Sequence, residues 1–318
     1  MPSKKRPQLN ETRTLPTQMK KNSTADDVSE DWLVTFELNE SKAKFRDVFR
    51  LLDKMLSQVR FRFSKDGLSI YDNNASLTIM AGLTLSPSYF SRYQFFEDRS
   101  PDKEVVFTTY VSTIVTILNS AKDGALSVYV SSSTMLFVYK NASSDQHNRD
   151  QLTSLMCDDE NYLPEDQQMP FMLNLDSSKF AEVCSELVRL KAETLKFTLT
   201  PTRFEISCQT IHHTGSRSFD LGNQIITENG NIGKEADVKQ IIANCDQNEE
   251  EEYSVRILAA DFEKLTKAAK SLDNQVQIMF KPEENVILRY VLGEVENERD
   301  TSYLTIWYAI TTLNIDEQ

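Results

Sequence analysis

The sequence predicts an α+β protein, with helices on one face of antiparallel sheets and two similar halves that each hold two β-α-β-β-β units. Three observations carry that expectation. A strand, helix and hairpin pattern recurs four times along the chain, and such internal repetition decides a fold before any single motif does. The first and fourth predicted helices place apolar residues at the i, i+3, i+4 spacing of a face packed on a sheet. One polar stretch, Asn141 to Met169, separates the second recurrence from the third.

Taken in order, the first unit reads as strand Trp32 to Leu38, a helix from about Ser41, strand Val59 to Phe63, a turn at Lys65-Asp66-Gly67, strand Leu68 to Tyr71 and a further strand Leu77 to Leu85. The second has strand Val105 to Phe107, helix Tyr110 to Ala121, strand Leu126 to Val130, a Ser-rich turn and strand Met135 to Tyr139. In the third, strand Phe171 to Leu175 leads into helix Ser177 to Leu190, then Leu195 to Leu199, a turn at Thr200-Pro201-Thr202 and Phe204 to Cys208. The fourth runs Tyr253 to Ile257, helix Ala259 to Leu272, Val276 to Phe280, a turn at Lys281-Pro282-Glu283-Glu284 and Val286 to Tyr290.

Four segments follow: a disordered basic tail over 1–30, an N-terminal domain over 31–143, a connector over 144–168 and a C-terminal domain over 169–318. The tail has few large apolar side chains with which to offset ordering entropy. Its Lys4-Lys5-Arg6-Pro7 cluster suits nuclear import or a weak phosphate contact.

Composition narrows the function. With 318 residues the chain can bury a sizeable core. No apolar run approaches the roughly 18 residues of a membrane span, and the N-terminus lacks a signal-peptide core; a soluble intracellular protein is expected. Cys157, Cys184, Cys208 and Cys245 lack metal or disulfide spacing and are expected to be reduced thiols. A net charge of −13 argues against a surface coated in positive charge, and 8 glycines leave almost no room for phosphate-cradling loops.

The charge is unevenly placed. Lys42, Arg46, Arg50 and Lys54 fall four apart, a drifting positive stripe beside the apolar face of Phe45, Val48, Phe49 and Leu52. Lys264, Lys267 and Lys270 recur every third residue on the fourth helix. On the third, Lys179 and Arg189 are offset by Glu182 and Glu186, and the second is nearly uncharged before Lys122. If equivalent helices hold equivalent places, these cations form a shared but uneven surface for phosphates. A single such helix would be an ordinary solvated face.

Enzyme chemistry finds little support. Asp158-Asp159-Glu160 are successive residues whose side chains diverge, whereas metal coordination needs convergence. His212 and His213 are adjacent, so in an extended segment they point to opposite faces. No nucleophile elbow or H-E-x-x-H motif occurs. A binding scaffold without cofactor is expected, with a metal-dependent nuclease as the enzyme alternative.

Four segments stand in order along the chain: Lys65-Asp66-Gly67-Leu68-Ser69-Ile70-Tyr71-Asp72, the connector Leu155-Met156-Cys157-Asp158 through Tyr162-Leu163-Pro164-Glu165, Phe180-Ala181-Glu182-Val183-Cys184-Ser185-Glu186-Leu187, and Tyr303-Leu304-Thr305-Ile306-Trp307-Tyr308-Ala309-Ile310. Through them the sequence from Trp32 to about Ile310 resembles the proliferating cell nuclear antigen (sliding clamp) family. The resemblance implies a DNA-clamp fold and a homotrimeric ring, helices inside and sheets outside, that encircles duplex DNA as a polymerase processivity factor. It carries over Lys42, Arg46, Arg50, Lys54, Lys122, Lys179, Arg189, Lys264, Lys267 and Lys270 as DNA-facing residues. Tyr71, Ala75, Tyr162, Leu163, Pro164, Trp307 and Tyr308 become candidates for a pocket that docks partner peptides, with core packing the alternative for Trp307 and Tyr308. Implied partners are duplex DNA, a DNA polymerase and other clamp-binding proteins, a clamp loader and further copies of the chain. The implied location is the nucleus, or a cytoplasmic replication site for a viral member. The subunit joint is expected to pair Met135 to Tyr139 with a strand within Ser216 to Ile225. The front loop lacks the family's usual histidine, and Ile310 stands where the family has proline. A subunit of a heterotrimeric checkpoint clamp and a monomeric processivity factor remain alternatives.

Overall fold

The computed structural model describes residues 32–100, 102–121, 124–140, 147–156, 171–200, 203–220, 238–243, 253–269, 271–281, 285–293 and 301–309. The chain divides into two units, Met1–Asp31 and Trp32–Gln318, and all described residues belong to the second.

Four β-α-β-β-β units follow one another. The first is β1 (Val34–Leu38), α1 (Lys42–Leu52), β2 (Gln58–Ser64), β3 (Gly67–Asn73) and β4 (Ile79–Leu85), followed by a short strand β5 (Arg92–Phe95). The second is β6 (Val105–Tyr110), α2 (Val111–Ser120), β7 (Leu126–Val130), β8 (Thr134–Lys140) and β9 (His147–Thr153). The third is β10 (Phe171–Asp176), α3 (Ser177–Arg189), β11 (Thr194–Leu199), β12 (Arg203–Gln209) and β13 (Thr214–Asp220), followed by β14 (Val238–Ala243). The fourth is β15 (Tyr253–Leu258), α4 (Ala259–Ala269), β16 (Gln275–Lys281), β17 (Asn285–Val291) and β18 (Tyr303–Ala309).

Neighbouring units exchange their first strands. β1 pairs with β7 of the second unit while β6 pairs with β2 of the first, and β10 with β16 mirrors β15 with β11. Among the described residues three antiparallel sheets result, in the orders β5-β1-β7-β8-β9, β14-β10-β16-β17-β18-β4-β3-β2-β6 and β13-β12-β11-β15. The nine-stranded sheet crosses from one half of the sequence to the other at β4 and β18, registered from Tyr303 opposite Thr84 to Tyr308 opposite Ile79. Just past that ladder, Ser86 N–H donates to Ser302 Oγ (3.0 Å), and the two hydroxyls lie 3.1 Å apart. Both residues are buried.

Local chemistry explains the elements. The β2–β3 turn needs Gly67, whose φ is +120° and where a Cβ would stand 2.1 Å from Leu85 O. Asp176 caps α3 by accepting the Lys179 N–H at 2.8 Å. One continuous core lies between helices and sheets, with Phe49 stacked on Phe61 (5.7 Å) in the first half and Phe180 edge-on to Phe262 (5.8 Å) in the second. Cys184 and Cys208 are buried and unbridged, and burial pushes both thiols up, away from the reactive thiolate form.

Two expectations are corrected. His147 to Thr153, assigned from sequence to the connector, form β9, hydrogen-bonded along the whole of β8. The polar HNRDQLT segment extends because β8 offers a ladder, not because of its own apolar pattern. Consequently β8 (Met135 to Tyr139 in the expectation) is an interior strand, and the sheet edge belongs to β9.

Replacing Ser302 by Ala leaves the buried Ser86 N–H without that acceptor. Destabilisation of about 1–3 kcal/mol is expected in chemical denaturation; an unchanged midpoint would remove the serine pair from the bonds that hold the halves together.

Candidate nucleic-acid and partner interfaces

The four α-helices of the described residues lie in one row. α1 packs against both α2 and α4, and α4 also packs against α3, which gives the order α2-α1-α4-α3. The helices with the basic stripes, α1 and α4, therefore sit side by side in the middle.

Within that row the predicted cations fare differently. Arg50 is exposed; it donates to Asp47 Oδ1 at 3.2 Å and to Asn119 Oδ1 across on α2. Arg46 is mostly covered, 3.7 Å from the same carboxylate, and its buried Nε meets no acceptor. One acid thus faces two guanidinium groups and leaves net positive charge. Lys54 is exposed in the turn after α1, and Lys267 is exposed on α4. Lys179 and Arg189 are exposed at opposite ends of α3.

Lys42 does not join the stripe. It is 7% exposed, and its ammonium donates to the carbonyl of Gly124, pinning the start of α1 to the loop before β7. Fourfold spacing drifts around a helix of 3.6 residues per turn, so the first member of the row rolls under the edge. Lys122, Lys270 and the side chain of Lys264 lie outside the described residues.

Between α3 and α4 runs a cleft of about 360 Å³ where Arg189 and Lys267 share the walls with Glu182 and Glu186. Glu186 is also engaged by Arg217 of β13 (Nε to Oε2, 3.0 Å). The α3 end of the row is therefore mixed in charge, as the sequence suggested.

On the opposite face of the nine-stranded sheet, Tyr71 and Trp307 come together. Their ring centroids are 6.5 Å apart, and both lie over Gly82, where a Cβ would stand 2.7 Å from Trp307 Cη2 and Cζ3 and 2.8 Å from Tyr71 Cε1. The Tyr71 hydroxyl lies 3.1 Å from Thr84 Oγ1, and burial pushes its pKa up. Trp307 stands between Met80 and Ile287 in register, with Met279 beyond, an apolar row that sequence reading missed. A lone glycine inside an otherwise apolar strand was the available signal for the close approach at Gly82.

Tyr308 points the other way. It is 3% exposed and packs on Phe262 of α4 at 5.0 Å, so it belongs to the core and not to the pocket. Ala75 is exposed in the turn between β3 and β4. That turn is strapped by Asn74, whose Oδ1 accepts from the Thr78 and Ile79 N–H groups at 2.9 and 3.1 Å. It presents Leu77, at φ 56° and 69% exposed. Tyr162, Leu163 and Pro164 lie outside the described residues, as do Asp158, Asp159 and Glu160. The chain that leads toward them leaves β9 by capping the edge of β6: Thr108 N–H donates to Ser154 Oγ (3.2 Å) and Thr108 O accepts from Leu155 N–H (2.9 Å).

Among the described residues no three His, Cys, Asp or Glu side chains converge as metal ligands. His212 and His213 are exposed in the tight turn between β12 and β13.

No protein-family model matches the chain, and no curated protein does. Among solved structures, the Proliferating Cellular Nuclear Antigen from Entamoeba histolytica is similar, with a TM-score of 0.68 over 88% of this chain and 99% of that one at 13% sequence identity. The chain has a sliding-clamp fold. At that identity the likeness concerns the fold alone and assigns no residue of either surface.

Gly82→Ala drives a methyl group into both aromatic rings. A loss of about 1–3 kcal/mol of stability is expected together with a shift in tryptophan emission; an unmoved spectrum would show that Trp307 does not rest on this glycine. Lys42→Met should lower the melting temperature, because its ammonium holds the Gly124 carbonyl; an unchanged melting temperature would remove that contact from the bonds that anchor α1.

Proposed function

We propose that this chain is a subunit of a DNA sliding clamp, a non-enzymatic processivity platform that encircles duplex DNA and holds replication proteins on it. The observation that carries the reading is the helix row: on a chain of net charge −13, the exposed cations Arg50, Lys54 and Lys267 stand on or beside the two central helices of a clamp fold. Phosphate contacts of this kind read no base and are individually weak, which suits a protein that must stay on DNA without stopping on it.

Ring closure pairs two of the outer strands, β9 of one subunit against β13 of the next, in place of the β8 pairing expected from sequence. Three copies complete the ring. The proposed partners are duplex DNA, a DNA polymerase and other proteins that dock short peptides beside Trp307, Tyr71 and Leu77, and a loader that opens the ring. The site of action is the nucleus or another site of DNA replication.

Particle mass in solution tests the assembly, with three times 36.5 kDa expected. A stable monomer that forms a ring only with two other chains would replace the homotrimer by a heteromeric clamp. For DNA, Arg50→Glu with Lys54→Glu should weaken association and lower the slope of log affinity against log salt by about 2. An unchanged slope would remove α1 from the DNA surface, and DNA cut by the purified protein with magnesium would refute the non-enzymatic reading.

A further inference from the structure

We propose that Asp150 and Arg217 form the charge pair by which one copy of this chain recognises the next. The inference rests on the ring reading above and specifies its joint. β9 and β13 are edges of the five- and four-stranded sheets among the described residues, and each is seven residues long. Pleating assigns their faces. Asn148, Asp150 and Leu152 stand opposite Tyr139, Phe137 and Met135 of β8, all buried, so they occupy the helix side. On β13, Gly215, Arg217 and Phe219 stand opposite the buried Cys208, Ile206 and Phe204, and Arg217 reaches Glu186 of α3 on that same side.

Each edge therefore carries one charged residue on its helix side, and in each strand it is the central residue. Paired residues on neighbouring strands share a face. Two edges of equal length that pair fully bring centre to centre whichever way they run, so Asp150 meets Arg217. In the antiparallel sense Leu152 then lands on Gly215, over which Leu190, the residue that ends α3, already lies, and apolar contact continues across the joint. Both charged side chains are held in place beforehand: Asp150 Oδ2 accepts from the Tyr139 hydroxyl at 2.8 Å, and Arg217 is tethered by Glu186. Preorganisation of this kind lowers the ordering cost of association. Opposite charges on the two edges of one chain make a second copy the fitting occupant.

The test measures particle mass over a dilution series for four chains: the parent, Asp150→Arg, Arg217→Asp and the double exchange. All four carry Glu186→Gln so that α3 does not repel the exchanged residue, and thermal melting monitors folding. Each single exchange should weaken assembly by about tenfold or more, since like charges then face each other, and the double exchange should restore most of it. Single exchanges that assemble like the parent overturn the pair, as does a double exchange that stays dispersed while the parent assembles. If the single exchanges unfold, restoration in the double decides. An unsubstituted chain that remains monomeric at every concentration overturns the ring reading itself, and the joint with it.

Discussion

The pairing of β4 with β18 is the contact on which the remaining architecture depends. It joins strands more than 200 positions apart, and it turns two half-molecules into one nine-stranded sheet. Because that sheet is continuous, the helices packed on it form a single row with α1 against α4 at its middle. The register of this one pair also decides which side of the protein each aromatic residue serves. A slip of one residue would exchange the faces, putting Trp307 among the helices and Tyr308 outside. The buried Ser86 and Ser302 hydroxyls, bonded to each other at the end of the ladder, oppose such a slip because neither would keep its partner.

The two faces of that sheet have different physics. On the helix side, apolar packing fills the space between sheets and helices, and charge is left to the outer surface of the row. There it is diluted: Asp47 lies between Arg46 and Arg50, and Glu186 is bound to Arg217. Exposed ion pairs of this kind contribute about 0–1 kcal/mol each, so their part in folding is small and their effect on the local field is the larger matter. On the far side, Gly82 leaves room for the rings of Tyr71 and Trp307 to converge, and an apolar row continues from Met80 to Met279. Aromatic and sulfur-bearing side chains thus lie near a strapped turn that presents Leu77.

Legibility followed the strength of each segment's own pattern. α1 could be read from Phe45, Val48, Phe49 and Leu52, all buried as their spacing requires. Hairpins such as β2–β3 were legible because Gly67 marks the turn between alternating segments. β9 was not, since only Leu152 among its seven residues is large and apolar; an edge strand with one neighbour needs little apolar character. Lys42 misled because spacing shows which residues share a helix face, while its acceptor, the Gly124 carbonyl, lies 82 residues away. Tyr308 misled because neighbouring residues in a strand face opposite ways, and nothing local says which of the two faces inward.

The sequence by itself determined the fourfold strand, helix and hairpin repeat, the amphipathic faces of its helices and the presence of cations on the first and fourth, because these follow from periodicities of 3.6 and 2 within short segments. Tertiary structure alone decided that α1 and α4 are neighbours, that Tyr71 and Trp307 meet over Gly82, that Lys42 is enclosed, and that β9 and β13 are outer strands of their sheets. Each of these depends on backbone pairing between residues far apart in the chain, where hydrogen-bond geometry and close packing, not local composition, select the partner.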